Sequence, residues 1–171
     1  MLSLIVALLA AGQTAPDPLA EARAGKVQCV SPSREKKTCL AIASFTVRRD
    51  GGFDSVVQVL VNPAPAIVME TRTAGSVENG MTCNLIRAED YAGAKLTMNG
   101  APMDEAAAAP IRPQIAAAIA PMAGKKGCSH ERPEGDVLVS EVALDGVAHP
   151  EMTQRLIWVS PSEGYTLGAP Q

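Results

Sequence analysis

Between residues 39 and 63 the chain reads CLAIASFTVRRDGGFDSVVQVLVNP, two β-forming stretches on either side of a turn. Leu40, Ile42, Phe45 and Val47 are strand formers. Asp50, Gly51 and Gly52 then supply turn residues, and FDSVVQVLV resumes the β pattern until Pro63 and Pro65 stop it. The pattern predicts a β-hairpin. AIVMETRT (66–73) reads as a third strand and MTCNLI (81–86) as a fourth. RAEDYAG (87–93) predicts one or two helical turns, followed by a short strand, AKLTMNG. Later, DVLVSEVALDG (136–146) alternates Val137 and Val139, then Val142 and Leu144 across a bulge. TQRLIWVSP (153–161) predicts a last strand around Trp158, and SEGYTLGAPQ reads as a loosely ordered tail.

Two segments break this rhythm. APMDEAAAAPIRPQIAAAIAPMAG (101–124) is alanine-rich, and alanine is the best helix former. Ile111, Ile115, Ile119 and Met122 recur at helical spacing, with Asp104 and Glu105 at the front, where negative charge suits the helix dipole. Pro110 and Pro113 oppose a single straight helix, so the expectation is a kinked one, or two short helices with the second starting near Ile111. GKKGCSHERPEG (124–135) has no apolar alternation and reads as an exposed loop. The fold class expected is α+β: an antiparallel sheet built from hairpins, one kinked Ala-rich helical segment packed on it, and disulfide staples.

Length and composition narrow this further. A chain of 171 residues suits one domain with a real core. The net charge of −3 is too small to suggest a nucleic-acid partner. Phe45, Phe53, Tyr91, Trp158 and Tyr165 are the only aromatics, which weighs against stacking platforms for glycans or single strands. The apolar run LSLIVALLAA (2–11) has the length of a secretory h-region and is too short to span a bilayer, although no Lys or Arg precedes it. Ala20-Glu21-Ala22 and Ala22-Arg23-Ala24 fit the small-x-small cleavage rule, and Gln13 stands where a lipidated cysteine would be needed. The organisation expected is a signal peptide over 1–24 and a single exported domain over 25–171. That domain is periplasmic or secreted, without a membrane span in its mature form. An uncleaved N-terminal anchor is the alternative.

Cys29, Cys39, Cys83 and Cys128 all follow the leader, and an even count in an exported chain points to disulfides. Three pairings are open. Cys29–Cys39, closing a short polar loop, and Cys83–Cys128, tying the middle to the C-terminal half, are favoured. Bridges of this kind contribute about 2–4 kcal/mol each.

Candidate chemistry is sparse. Cys128, Ser129, His130 and Glu131 are consecutive, but neighbouring side chains diverge, and a paired cysteine is no nucleophile. His130 and His149 are the only histidines, and Met152 follows His149 closely, the softness that copper favours. No zinc, calcium, phosphate-loop or serine-hydrolase motif occurs. The sequence therefore leads to no metal site and no cofactor. The function expected is a non-catalytic module binding another envelope protein or an envelope component, with strand edges of the 39–62 hairpin offered to a peptide. A hydrolase with dispersed residues around His130 or His149 is one alternative, and copper handling by His149 and Met152 a weaker one. The oligomeric state is not legible.

Overall fold

The β-forming stretches do not lie down as an open sheet. In the computed structural model, which describes residues 16–169, eight antiparallel strands close into a barrel. They are β1 (Val27–Val30), β2 (Ala41–Val47), β3 (Gly52–Pro63) and β4 (Ala66–Glu78). β5 (Met81–Leu85), β6 (Lys126–Glu134), β7 (Val137–Leu144) and β8 (Gln154–Val159) complete it. Each strand pairs with its neighbours in the chain, and β1 pairs with β8 from Val27↔Val159 to Val30↔Leu156, which closes the circle.

The expected open sheet with one helix across it is therefore corrected to a mostly β, closed barrel. The physical reason is the pairing of first strand with last, a contact that no local pattern encodes. Closure also removes strand edges. β3 is paired with β2 and β4, while β2 is paired with β3 along its length and with β1 only over Ala41–Ala43, so the hairpin's edge is reduced to Ser44–Val47 of β2.

The segment expected to be an exposed loop is strand β6, paired with β5 on one side and β7 on the other. β1 escaped the sequence reading as well. β6 has Gly127, Ser129 and Glu131 at alternate positions, and β1 is only four residues long with Gln28 at one of its two inward positions.

Among the described residues four α-helices decorate the strands: α1 (Ala20–Arg23), α2 (Ala88–Ala92), α3 (Glu105–Ala108) and α4 (Arg112–Ile119). α3 and α4 realise the expected break, with Pro113 in the first turn of α4 and the Asp104 carboxylate accepting from the Ala107 amide at 2.8 Å. What they cover is an extension of β4 rather than the body of the sheet. β4 outruns β5, pairing with it only over Gly75–Glu78. Over Ile67–Glu70 its partner is the short strand Lys95–Met98. On this extension Met69, Ala94, Leu96 and Ala108 form a small core, onto which Tyr91, Ile111 and Ile115 pack.

At the other end of the barrel Leu19 is fully buried, its amide held by the Asp17 carboxylate at 3.0 Å, and α1 packs on β2. The apolar run 2–11 lies outside the described residues. Residues 17–24, assigned to the leader from sequence, are part of the folded unit, and a cut after Ala22 or Ala24 would remove Leu19 from it.

The tail is ordered as far as it is described, to residue 169. Ser160 and Glu163 form a capping box, and Thr166–Leu167 pairs in parallel with Thr38–Cys39. Tyr165 packs there on the Cys29–Cys39 disulfide with Val27, Ile42 and Ile157. The second disulfide, Cys83–Cys128, joins residues directly opposite each other on β5 and β6, their Cα atoms 4.1 Å apart.

Candidate functional site: the barrel interior

Side chains on a barrel strand alternate between lumen and exterior. On β2 and β3 that alternation turns Ala43, Phe45, Val57 and Val59 inward; β1 adds Val30 and β8 adds Leu156. These four strands make an apolar wall, in which Gln28, Ser55 and Gln154 are the polar members. On β4 to β7 most inward positions are polar: Thr71, Thr73, Thr82, Asn84, Ser129, Glu131 and Ser140, with Met69 and Gly127 among them. This is a polar wall, relieved by Val142 and Leu144 towards the rim. Between the walls lies a cavity of about 330 Å³. That is at the small end of the range used by small-molecule sites, and eight-stranded barrels have interiors suited to one small ligand.

The floor, at the α1 end, is aromatic. The Phe45 and Phe53 rings meet edge-on at 5.5 Å, and Phe45 lies 5.9 Å from the Trp158 ring. Gly75 makes room for them. A Cβ there would stand 2.4 Å from Phe53 Cζ and 2.3 Å from the Cys83 carbonyl oxygen. The opposite end carries Ile86 and Tyr91, from the segment that follows β5, and Met152, which precedes β8. Burial pushes the Tyr91 phenol up from its ordinary value, with the charge of Asp90 acting in the same direction.

One polar pair crosses the floor. Gln28 is on β1 and Glu131 on β6, with β7 and β8 between them on the wall, and Gln28 Nε2 donates to Glu131 Oε1. The Trp158 indole also hydrogen-bonds Glu131. Burial raises the Glu131 carboxyl above its ordinary value, against the pull of these two hydrogen bonds and of the neighbouring His130. Among the described residues lining the cavity, Glu131 is the only Asp, Glu, Lys, Arg or His side chain.

The hydroxyls are unevenly satisfied. Ser55 and Thr73 hydrogen-bond each other at 2.7 Å. Thr71 is 5% exposed and Ser140 8%, both face the cavity, and neither hydroxyl is hydrogen-bonded to another described residue. Both hydroxyls are accessible from the cavity and offer hydrogen-bonding capacity to whatever occupies it, water or ligand.

The residues singled out from sequence fall elsewhere. His130 points outward from β6, exposed, its Cα opposite that of Glu141 on β7. His149 follows the β7 turn on the other flank of that strand, its amide donating to the Val142 carbonyl and its Nδ1 lying 2.7 Å from Glu151 Oε1. The structure does not bring the two imidazoles into one site. Of the pair considered for copper, Met152 lines the cavity and His149 does not. Among the described residues no three of His, Cys, Asp or Glu converge as metal ligands would. All four cysteines are in disulfides, so the Cys128 thiol is not free.

Sequence reasoning passed over Gln28, Thr71, Ser140 and, as an inward-facing group, Glu131. A signal existed. In Met81-Thr82-Cys83-Asn84-Leu85 and in Val27-Gln28-Cys29 the alternation is inverted, with polar residues inward and apolar ones outward. The outward Val27 and Cys29 are covered by the ordered tail. No family model, no curated protein and no solved structure matches the chain.

Proposed function

We propose that the protein is a binding module that holds one small organic ligand inside its barrel. The observation that carries this reading is the cavity of about 330 Å³ into which the hydroxyls of Thr71 and Ser140 open without a protein partner. A cavity needed only for stability would gain by being filled or by being apolar, because each void forfeits packing and each unpaired hydroxyl costs desolvation. Two disulfides are compatible with work in an oxidising, exported compartment. A protein partner is the weaker version of the binding reading, since barrel closure occupies much of the hairpin edge that a peptide would use.

Native mass spectrometry of the protein purified gently from its own host tests this. The expected result is an added small mass that is lost on denaturation. Ala43 is 5% exposed and faces the cavity, so Ala43→Trp fills it and should abolish the added mass. Recovery of the bare chain mass from the native host, or an added mass that survives Ala43→Trp, would count against the proposal.

A further inference from the structure

The two walls and the floor constrain the chemistry of that ligand, on the assumption that the cavity is its site. We infer that it is a compact organic cation, an amine or amidine, with an apolar face lying on the Val57 wall and its charged nitrogen at Glu131.

The charge follows from what lines the space. No Lys, Arg or His side chain is among the described lining residues, while Glu131 is. An anion entering the cavity would meet a carboxylate with no counter-charge, and its desolvation would go uncompensated. A cation would meet the opposite case. Gln28 and Trp158 each give Glu131 one hydrogen bond, and a carboxylate has about four acceptor positions, so acceptor capacity remains for an ammonium or amidinium donor. Burial of Glu131 opposes its charged form when the cavity holds no cation, and a bound cation relieves that opposition.

The shape follows from the split lining. Thr71, Thr82, Asn84 and Ser140 can donate to or accept from one edge of a ligand, and Val30, Val57 and Leu156 can only be covered by an apolar face. Phe45 is positioned at the floor beside Trp158, where a cation near Glu131 gains further from the aromatic faces. Glu131 also lines a second pocket, under α1, of about 510 Å³. Asp17, Glu21, Lys26 and His130 are the charged or titratable groups on that side. Asp17 is paired with Arg23, and Glu21 with Lys26.

Three probes of one shape separate the possibilities: 2-phenylethylamine, 2-phenylethanol and phenylacetate, titrated calorimetrically at pH 7.5 into the wild type, Glu131→Gln and Ala43→Trp. The expected ranking in the wild type is the amine at least about tenfold tighter than the alcohol, with phenylacetate weakest. In Glu131→Gln, the amine should fall to the affinity of the alcohol while the alcohol changes by about twofold or less; near-UV circular dichroism checks that this variant keeps its aromatic floor. The wild-type ranking stands as a test even if that variant does not fold. Phenylacetate binding as tightly as the amine, or an amine preference that persists in Glu131→Gln, overturns the inference. If the alcohol binds, Ala43→Trp blocks it and the amine has no advantage, the cavity reading survives and only the cation falls. If no probe binds, or if Ala43→Trp changes nothing, both fall.

Discussion

The two walls of the barrel are built from the same strand geometry and hold together differently. On the β8–β1–β2–β3 side, inward Leu156, Val30, Ala43, Phe45 and Val57 bury apolar area, and two Phe rings and Trp158 close the floor. On the β4–β7 side the inward Thr82, Asn84, Ser129 and Ser140 bury hydroxyl and amide groups, which contribute little to the core and leave hydrogen-bonding capacity unused. That side is braced from outside, by the Cys83–Cys128 bridge and by ion pairs such as Arg132–Glu141. The comparison teaches that one wall holds the fold and the other offers the chemistry.

Breaking the apolar side should cost most. Phe53 is 3% exposed at the floor, and Phe53→Ala is expected to destabilise the protein by about 3–5 kcal/mol in urea unfolding. A loss under about 1 kcal/mol would mean that the aromatic floor is not structural. Next comes the plug at the same end. Leu19→Ala should cost about 2–5 kcal/mol by the same measurement, and a mature chain cut after Ala24 should unfold at correspondingly lower urea. Equal midpoints for the long and short forms would return residues 17–24 to the leader.

The polar wall should behave in the opposite way. Thr71→Val and Ser140→Ala replace open hydroxyls by apolar groups and are expected to lie between neutral and about 1 kcal/mol stabilising. Ligand binding should weaken in both. A clear loss of stability in either variant would assign that hydroxyl a structural partner and erase the contrast between the walls.

The smallest effect is in pH. The folded pKa of Glu131 is raised by burial, so the native state holds its proton more tightly than the unfolded chain does. As pH rises from the ordinary glutamate value through the raised one, this group should therefore remove stability. Asp17 and Glu70 have the opposite sign. The Leu19 amide lowers Asp17 and the Gln58 side chain lowers Glu70, so their contributions are lost as pH falls through their depressed values. Subtracting the stability–pH curve of Glu131→Gln from that of the wild type isolates the first effect. A difference curve that is flat, or that rises with pH, would contradict the burial of this carboxylate.

Much of the apolar wall was legible along the chain, because Phe45, Val57 and Leu156 sit in runs rich in β-branched and aromatic residues, with Phe45 flanked by Ser44 and Thr46. The polar wall was not. Residues 124–135 read as a loop because Gly127, Ser129 and Glu131 occupy the positions where a strand reader looks for Val or Ile. His130 drew attention as a rare residue beside a cysteine, and in the fold it faces solvent while its neighbour Glu131 turns inward.

Local pattern alone determined the hairpin 39–63, the proline break between α3 and α4, and four cysteines suited to an oxidising compartment, since each depends on near neighbours or on residue chemistry. Only the tertiary structure decided that β1 meets β8, that α1 and the tail belong to the folded unit, and that Glu131 stands across a shared space from Gln28. Those contacts join residues far apart in sequence, and closing such loops leaves no periodic trace in the chain.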